Sequence, residues 1–151
     1  MLLVWRNHPN IRREMLNQYE ITLEEHIRWF NTASKDLARR LLIVEGIEGP
    51  IGYVQFLNIK QSGSADWGFY ARPFSLKGVG QQIGKTALAY AFEQLELHKV
   101  CGYVMEHNQR SINLHKSLGF IQEGVLREQH RIDNSYQSLV CFGLLAREWN
   151  P

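Results

Sequence analysis

The stretch ARPFSLKGVGQQIGKTALAYAF (71–92) constrains the fold more than any other part of the chain. It follows the strand-like run ADWGFYA, places glycines at Gly78, Gly80 and Gly84, and continues as a helix from about Gln81. The apolar residues of this helix recur at three- and four-residue steps. Glycines ahead of a helix leave exposed backbone N–H groups at its positive end, which suits a phosphate group. A tight turn without any ligand is the alternative.

The elements around this stretch predict a single α/β domain over residues 1–151. Helical segments reach about Phe30 and contain a capping box at Thr22 and Glu25. The strand-like runs are RLLIVEG, IGYVQFLNI and KVCGYVM, and a short helix from Asn108 to Leu118 follows the last of them. GVLREQHRI and YQSLVCFGLL form a closing hairpin. Helices inserted in a mixed sheet are therefore expected.

Composition and charge exclude several classes of function. A formal charge of +2 argues against nucleic acid or an anionic membrane surface as a partner. No apolar run approaches membrane-spanning length, and no histidine or cysteine spacing indicates a metal site. Cys101 and Cys141 lie in apolar runs, which predicts buried thiols in a reducing compartment. We therefore expect a cytoplasmic protein.

A dinucleotide-binding domain competes for the glycine stretch. That fold requires a strand that runs directly into the first glycine, and a second βαβ half. Here the seven residues ARPFSLK separate the strand from Gly78, and a hairpin occupies the rest of the chain. The sequence disfavours this alternative.

The glycine stretch instead resembles the acetyl-CoA loop of GCN5-related N-acetyltransferases, with the pattern Arg/Gln-x-x-Gly-x-Gly/Ala after a bulged strand. Lys77 takes the first place, Gly80 the fourth, and Gln82 stands where Gly or Ala is usual. Lys77 and Gln82 both depart from the pattern. Backbone N–H groups need no particular side chain to bind pyrophosphate, so the resemblance survives both departures.

A second motif, EHNQRSINLHKSLGF (106–120), resembles the strand-to-helix signature Asn-x-x-Ser/Ala-x-x-x-Tyr-x-x-x-Gly-Phe of the same family. Asn108, Ser111, Gly119 and Phe120 are in register, and His115 occupies the usual tyrosine position. The resemblance implies a mixed, mostly antiparallel sheet whose fourth and fifth strands splay apart to admit acetyl-CoA. Relatives have a strand ahead of the first helix, whereas this sequence starts in that helix.

The segments WRNHPNIRREM, ITLEEHIRWF, WGFYARPFSLKGVGQ and VMEHN resemble the amino-sugar acetyltransferases of the pseudaminic acid pathway. This resemblance implies acetyl transfer to the 4-amino group of UDP-4-amino-4,6-dideoxy-N-acetyl-β-L-altrosamine, without a metal, and a possible homodimer. A protein N-terminal acetyltransferase of the same fold is the first alternative. A non-catalytic acyl-CoA-binding module is the second.

The resemblance also implies residue roles. Pantetheine would pair with exposed backbone of Phe69, Tyr70 and Ala71, and Asn108 would contact it unless it serves only as a helix cap. The remaining cofactor-binding candidates share the glycine loop or the second helix: Lys77, Gly78, Val79, Gly80, Gln81, Gln82 and Lys116.

For catalysis we expect a base for the acceptor amine and an acid for the leaving sulfur. Glu106 is the candidate base through a water, or else caps a helix or pairs with an arginine. His115 is the candidate acid, or else lies on the helix surface, and Tyr70 is the alternative hydroxyl. Arg6 and His26 are the candidates for the nucleotide sugar, since a guanidinium group suits a diphosphate. Four aromatic residues are expected in the core rather than against a sugar: Trp29, Phe30, Trp67 and Phe74.

Overall fold

The computed structural model describes all 151 residues. The helices are α1 (Leu2–Asn7), α2 (Pro9–Arg12), α3 (Leu23–Ala33), α4 (Val79–Ala89, extended by a π-helical turn, Tyr90–Gln94) and α5 (Gln109–Ser117), with a final 3₁₀ turn at Ala146–Glu148. The strands are β1 (Arg40–Gly46), β2 (Gly49–Leu57), β3 (Ser64–Ala71), β4 (Lys99–Met105), β5 (Ile121–Ile132) and β6 (Ser135–Leu145). These elements confirm the predicted order of helices and strands, including the closing hairpin and the capping box of α3.

The six strands form one sheet in the order β1-β2-β3-β4-β6-β5. Every neighbouring pair is antiparallel except β3 and β4, which are parallel. The parallel pairing is short, joining Ser64–Asp66 to Lys99–Cys101, while β3 continues to Ala71 and β4 to Met105. The two strands therefore diverge towards their carboxyl ends. The mixed, mostly antiparallel sheet is confirmed, and β3 and β4 are its splayed strands.

The glycines of the central stretch serve packing and a turn. A Cβ atom on Gly84 would lie 2.5 Å from Leu118 Cδ1, and one on Gly80 would lie 3.1 Å from Leu114 Cδ2. These two glycines let α4 approach α5 closely. Gly78 precedes α4 with a φ of 97°, which favours glycine because a Cβ atom is strained there. Packing against α5 and the turn at Gly78 therefore require these glycines whether or not a phosphate group binds there.

Several burial predictions need correction. Phe30 and Phe74 are 46% and 87% exposed, so neither belongs to the core. Cys101 and Cys141 are unpaired thiols that are only half-buried, because both lie on the sheet face opposite α4 and α5. Only Trp67 of the four aromatic residues is buried in the core. None of the helices combines the length and the apolar character needed to span a membrane.

Candidate active site

A cavity of about 470 Å³ lies where β3 and β4 diverge. Its walls come from β2, β3 and β4, from α5 with the residue that caps it, and from the N-terminal helices with their connecting segment. Phe69 and Tyr70 of β3 line it, as does Met105 of β4. This volume is within the range usual for small-molecule sites in proteins. The diverging strands therefore create a candidate small-molecule site, with both apolar and polar side chains in its walls.

The segment between α2 and α3 is fixed over the cavity by three sets of side-chain hydrogen bonds. The Asn7 amide donates to Ile21 O at 2.7 Å and accepts from Ile21 N at 2.9 Å. Arg6 Nη2 donates to Asn17 O at 2.6 Å, and His130 Nε2 donates to Leu16 O at 2.8 Å. A segment without regular structure is thereby held in one conformation against the site.

Arg6 and His26, the candidate acceptor-binding residues, both line the cavity. Arg6 Nη1 is shielded from solvent and has no hydrogen-bond partner. Burial lowers the pKa of Arg6, although its guanidinium group remains charged. Burial also lowers the pKa of His26, whose ring lies 5.4 Å from that of Trp29. Trp29 lines the cavity too, and is therefore available to contact a ligand.

Tyr70 lies at the diverging end of β3, with its ring 5.2 Å from the ring of Tyr53. Burial raises the pKa of Tyr70 to about 12, against an opposing effect of the Arg6 charge. The hydroxyl group therefore stays protonated at neutral pH. It can donate a hydrogen bond within the cavity, but complete proton transfer to a thiolate of ordinary pKa, about 8.5 for a free cysteine, would be uphill.

His115 is neither a free general acid nor a residue on the helix surface, the two roles that the sequence suggests. It is only 3% exposed, and its Nε2 accepts a hydrogen bond from Trp67 Nε1 at 3.1 Å. Its Nδ1 donates to Ser111 O at 2.8 Å. Because both ring nitrogens are occupied and burial lowers its pKa, His115 is neutral and has no free proton. The geometry contradicts the predicted role as general acid.

Gly102 of β4 makes this buried pair possible. A Cβ atom at this position would lie 2.6 Å from His115 Nε2 and 2.9 Å from Trp67 Nε1. The strand therefore passes directly over the hydrogen bond that joins β3 to α5. Nothing in the sequence alone connects these three positions, which are far apart along the chain.

Glu106 does not line the cavity. Its side chain is exposed, and its Oε1 accepts a hydrogen bond from Ser138 N at 3.2 Å, which ties the end of β4 to β6. This hydrogen bond gives Glu106 a structural role, and its role as a base through a water stays a prediction. Glu14, which the sequence analysis missed, contributes a carboxylate to the cavity. Glu14 has no motif of its own, so only its position in the fold reveals it.

The residues proposed to bind the cofactor lie in two groups. Phe69, Tyr70 and Asn108 line the cavity, and Asn108 Oδ1 also accepts from Ser111 N, as a helix cap does. Ala71 ends β3 beside them.

The glycine loop lies beyond β3 and is solvent-accessible. In this loop the N–H groups of Gly78 and Gly80 have no partner. The N–H groups of Val79, Gln81 and Gln82 instead donate to the carbonyl oxygens of Leu76 and Gly78. The side chains of Lys77 and Lys116 are exposed.

Two diverging parallel strands around a cavity, followed by a glycine turn and a helix, define an acyl-CoA-dependent N-acetyltransferase of the GCN5-related class. Comparison with known families gives the same result. The acetyltransferase (GNAT) domain family matches residues 1–121, and the chain belongs to this family. It is therefore an acetyltransferase that uses acetyl-CoA to modify a small molecule. No group of three metal-ligating side chains converges in the structure.

Individual relatives agree in chemistry and differ in acceptor. The acetyltransferase PseH of Campylobacter jejuni strain 81-176 is 35% identical over 120 residues, 80% of this chain and 74% of that protein. The putative ribosomal N-acetyltransferase YdaF of Bacillus subtilis is 29% identical over 127 residues, 78% of this chain and 69% of that protein. A crystal structure of spermidine N-acetyltransferase from Vibrio cholerae, with CoA and spermine, superimposes with a TM-score of 0.89 at 27% identity, covering 97% of this chain and 89% of that one.

Proposed function

We propose that the enzyme transfers acetyl from acetyl-CoA to the 4-amino group of a UDP-linked 4-amino-4,6-dideoxy sugar, as in pseudaminic acid biosynthesis. The main support for this proposal is the environment of Arg6. Arg6 lines the cavity, and its Nη1 is shielded from solvent without a hydrogen-bond partner, which an anionic group such as a diphosphate would supply. His26 and Trp29 supply a neutral ring and an aromatic face for the sugar or the base. The likeness to PseH agrees with this acceptor.

Acetyl-CoA would enter between β3 and β4, where the parallel pairing ends at Asp66. Pantetheine would pair with the backbone of Phe69, Tyr70 and Ala71, and an N–H of this strand would polarise the thioester carbonyl. The pyrophosphate would meet the free N–H groups of Gly78 and Gly80 at the start of α4. Five further residues would lie around the pyrophosphate: Lys77, Val79, Gln81, Gln82 and Lys116.

The leaving sulfur requires a proton, which His115 cannot supply from its buried hydrogen bonds. We propose that solvent provides this proton and that the Tyr70 hydroxyl stabilises the thiolate by hydrogen bonding. The two unpaired cysteine thiols are compatible with a reducing, cytoplasmic location. The homodimer implied by the family resemblance stays a prediction.

A polyamine is the second candidate acceptor, because the Vibrio cholerae spermidine enzyme has nearly the same fold. The carboxylates of Glu14 and Asp66 line the cavity and would attract a polycation. The Arg6 charge would repel it. The Arg6 charge should therefore favour binding of the UDP sugar and disfavour binding of a polyamine.

The test measures CoA release from acetyl-CoA with a thiol reagent, using the UDP-4-amino sugar, spermidine and a peptide with a free N-terminus in parallel. Turnover of the sugar with the highest kcat/KM supports the proposal. A preference for spermidine or for the peptide would replace it with polyamine or protein acetylation.

The Arg6→Gln variant distinguishes the UDP sugar from spermidine as the acceptor. Loss of a charge-assisted hydrogen bond of about 1.5–3 kcal/mol should raise the KM for the UDP sugar at least tenfold. The same substitution should improve the use of spermidine by removing a repelling charge. Arg28→Gln is the matched control, because Arg28 is 71% exposed, pairs with Glu24 on the surface of α3 and does not line the cavity. Equal KM values for the sugar in both variants would contradict the role of Arg6.

A further inference from the structure

Glu14 is a carboxylate that the structure places in the acceptor part of the cavity. It lies in the turn after α2, and its side chain is 29% exposed. Its Oε2 is shielded from solvent and has no hydrogen-bond partner. The nearest basic groups are Arg13, with Nε 3.2 Å from Oε1, and His107, with Nε2 3.5 Å from Oε2.

The position of Glu14 relative to the strands matters for its role. His107 follows directly after β4, so its contact places Glu14 beside the diverging end of the splayed strands. The other carboxylate of the cavity, Asp66, lies where β3 and β4 are still paired, and it accepts a hydrogen bond from Asn58 at 2.8 Å. Of the two, only Glu14 lies at the open end with an oxygen that has no hydrogen bond, and His107 Nε2 is 3.5 Å from that oxygen.

A shielded carboxylate oxygen without a hydrogen bond is costly, and a ligand N–H group would satisfy it. The acceptor of an N-acetyltransferase carries such groups, since an amine is largely an ammonium ion at neutral pH. Glutamate is also a common general base in enzymes, provided that it lies within hydrogen-bond reach of the proton it removes.

We propose that Glu14 accepts an N–H of the attacking amine and takes its proton. This inference rests on the proposed function only in requiring an amine acceptor in this cavity. The nitrogen lone pair then forms the C–N bond with the thioester carbon, and the C–S bond breaks with its electrons on sulfur. A second proton passes from the nitrogen through water to the thiolate, and Glu14 returns its proton to solvent. The net products are the amide, CoA and one released proton.

The test compares Glu14→Gln, Glu14→Ala and Glu20→Gln. Glu20 carries the same charge in the same segment, but its side chain is 75% exposed and does not line the cavity, so it is a matched control. Each variant is assayed with the acceptor that the wild type uses best among the UDP-4-amino sugar, spermidine and the free peptide. Acetyl-CoA affinity is measured separately by calorimetry. Added formate tests whether a small carboxylate can replace the missing one in Glu14→Ala.

Glu14→Gln should lower kcat at least about 100-fold, the lower limit usual for loss of general base catalysis, with unchanged acetyl-CoA affinity. Glu20→Gln should keep the wild-type rate, and formate should restore part of the rate of Glu14→Ala but not of Glu14→Gln. A wild-type rate in Glu14→Gln would overturn the proposal. The proposal would also be overturned if the Glu14 variants lost rate because they bind acetyl-CoA more weakly, and if formate did not restore the rate of Glu14→Ala. Use of spermidine rather than the sugar would refute the proposed acceptor alone, while the formate result would still decide the role of Glu14.

Discussion

The buried hydrogen bond between Trp67 and His115 allows a quantitative test of how the splayed strands are held to α5. His115→Phe would remove the only acceptor of the Trp67 N–H inside the core. An unsatisfied buried donor costs about 1–3 kcal/mol. For a chain of this length each kcal/mol lowers Tm by about 2–4 °C. We therefore expect Tm to fall by several degrees in His115→Phe.

A double-mutant cycle separates this hydrogen bond from simple packing. Trp67→Phe leaves His115 Nε2 without its donor, whereas the double variant leaves neither group unpaired. The double variant should therefore be more stable than the sum of the single losses by about 1–3 kcal/mol. Urea unfolding followed by circular dichroism, without acetyl-CoA, measures each free energy of unfolding. Omission of acetyl-CoA matters because ligand binding adds to the apparent stability.

The control cycle combines Trp5→Phe with His115→Phe. Trp5 is also a buried tryptophan, but it lies in α1 and makes no ring contact with His115. This pair should be additive within about 0.5 kcal/mol. Additive losses for Trp67 and His115 as well would refute the view that their hydrogen bond joins β3 to α5.

Further predictions concern the same region. Burial lowers the pKa of His115 in the folded state. Below about pH 6.5 the unfolded state therefore binds more protons than the folded state. As the pH falls from there towards the folded pKa, the free energy of unfolding should decrease by up to about 1.4 kcal/mol per pH unit. Urea titrations from pH 8 to about pH 5 should show this slope in the wild type and a smaller one in His115→Phe; equal slopes would contradict it. Gly102→Ala should push His115 from Trp67 and destabilise the fold by about 1–3 kcal/mol, and a Tm within error of the wild type would contradict the reported approach. Gly84→Ala should destabilise despite the better helix propensity of alanine, because its Cβ atom would meet Leu118 at 2.5 Å; thermal unfolding that shows a gain would mean that α5 moves freely.

Local patterns in the sequence were sufficient for most of the fold. Alternation and turn residues predicted the strands and the hairpin, and the Thr22–Glu25 capping box predicted the start of α3. These signals are local, since backbone geometry and capping depend on residues only a few positions apart. The two motifs also fixed the family and the cofactor, because both lie in continuous segments of the chain.

The chemistry of individual side chains depended on contacts between distant segments, which only the tertiary structure decided. His115 keeps the position of a catalytic residue in its motif, yet Trp67, 48 residues away, occupies its Nε2. Glu106 is a candidate base by its place at the end of β4, yet its carboxylate accepts a hydrogen bond from Ser138 N of the neighbouring strand. Glu14 belongs to no motif and reaches the cavity because hydrogen bonds from α1 and β5 hold its segment there. Burial and hydrogen bonding set proton affinity, and both arise from long-range packing that no local pattern encodes.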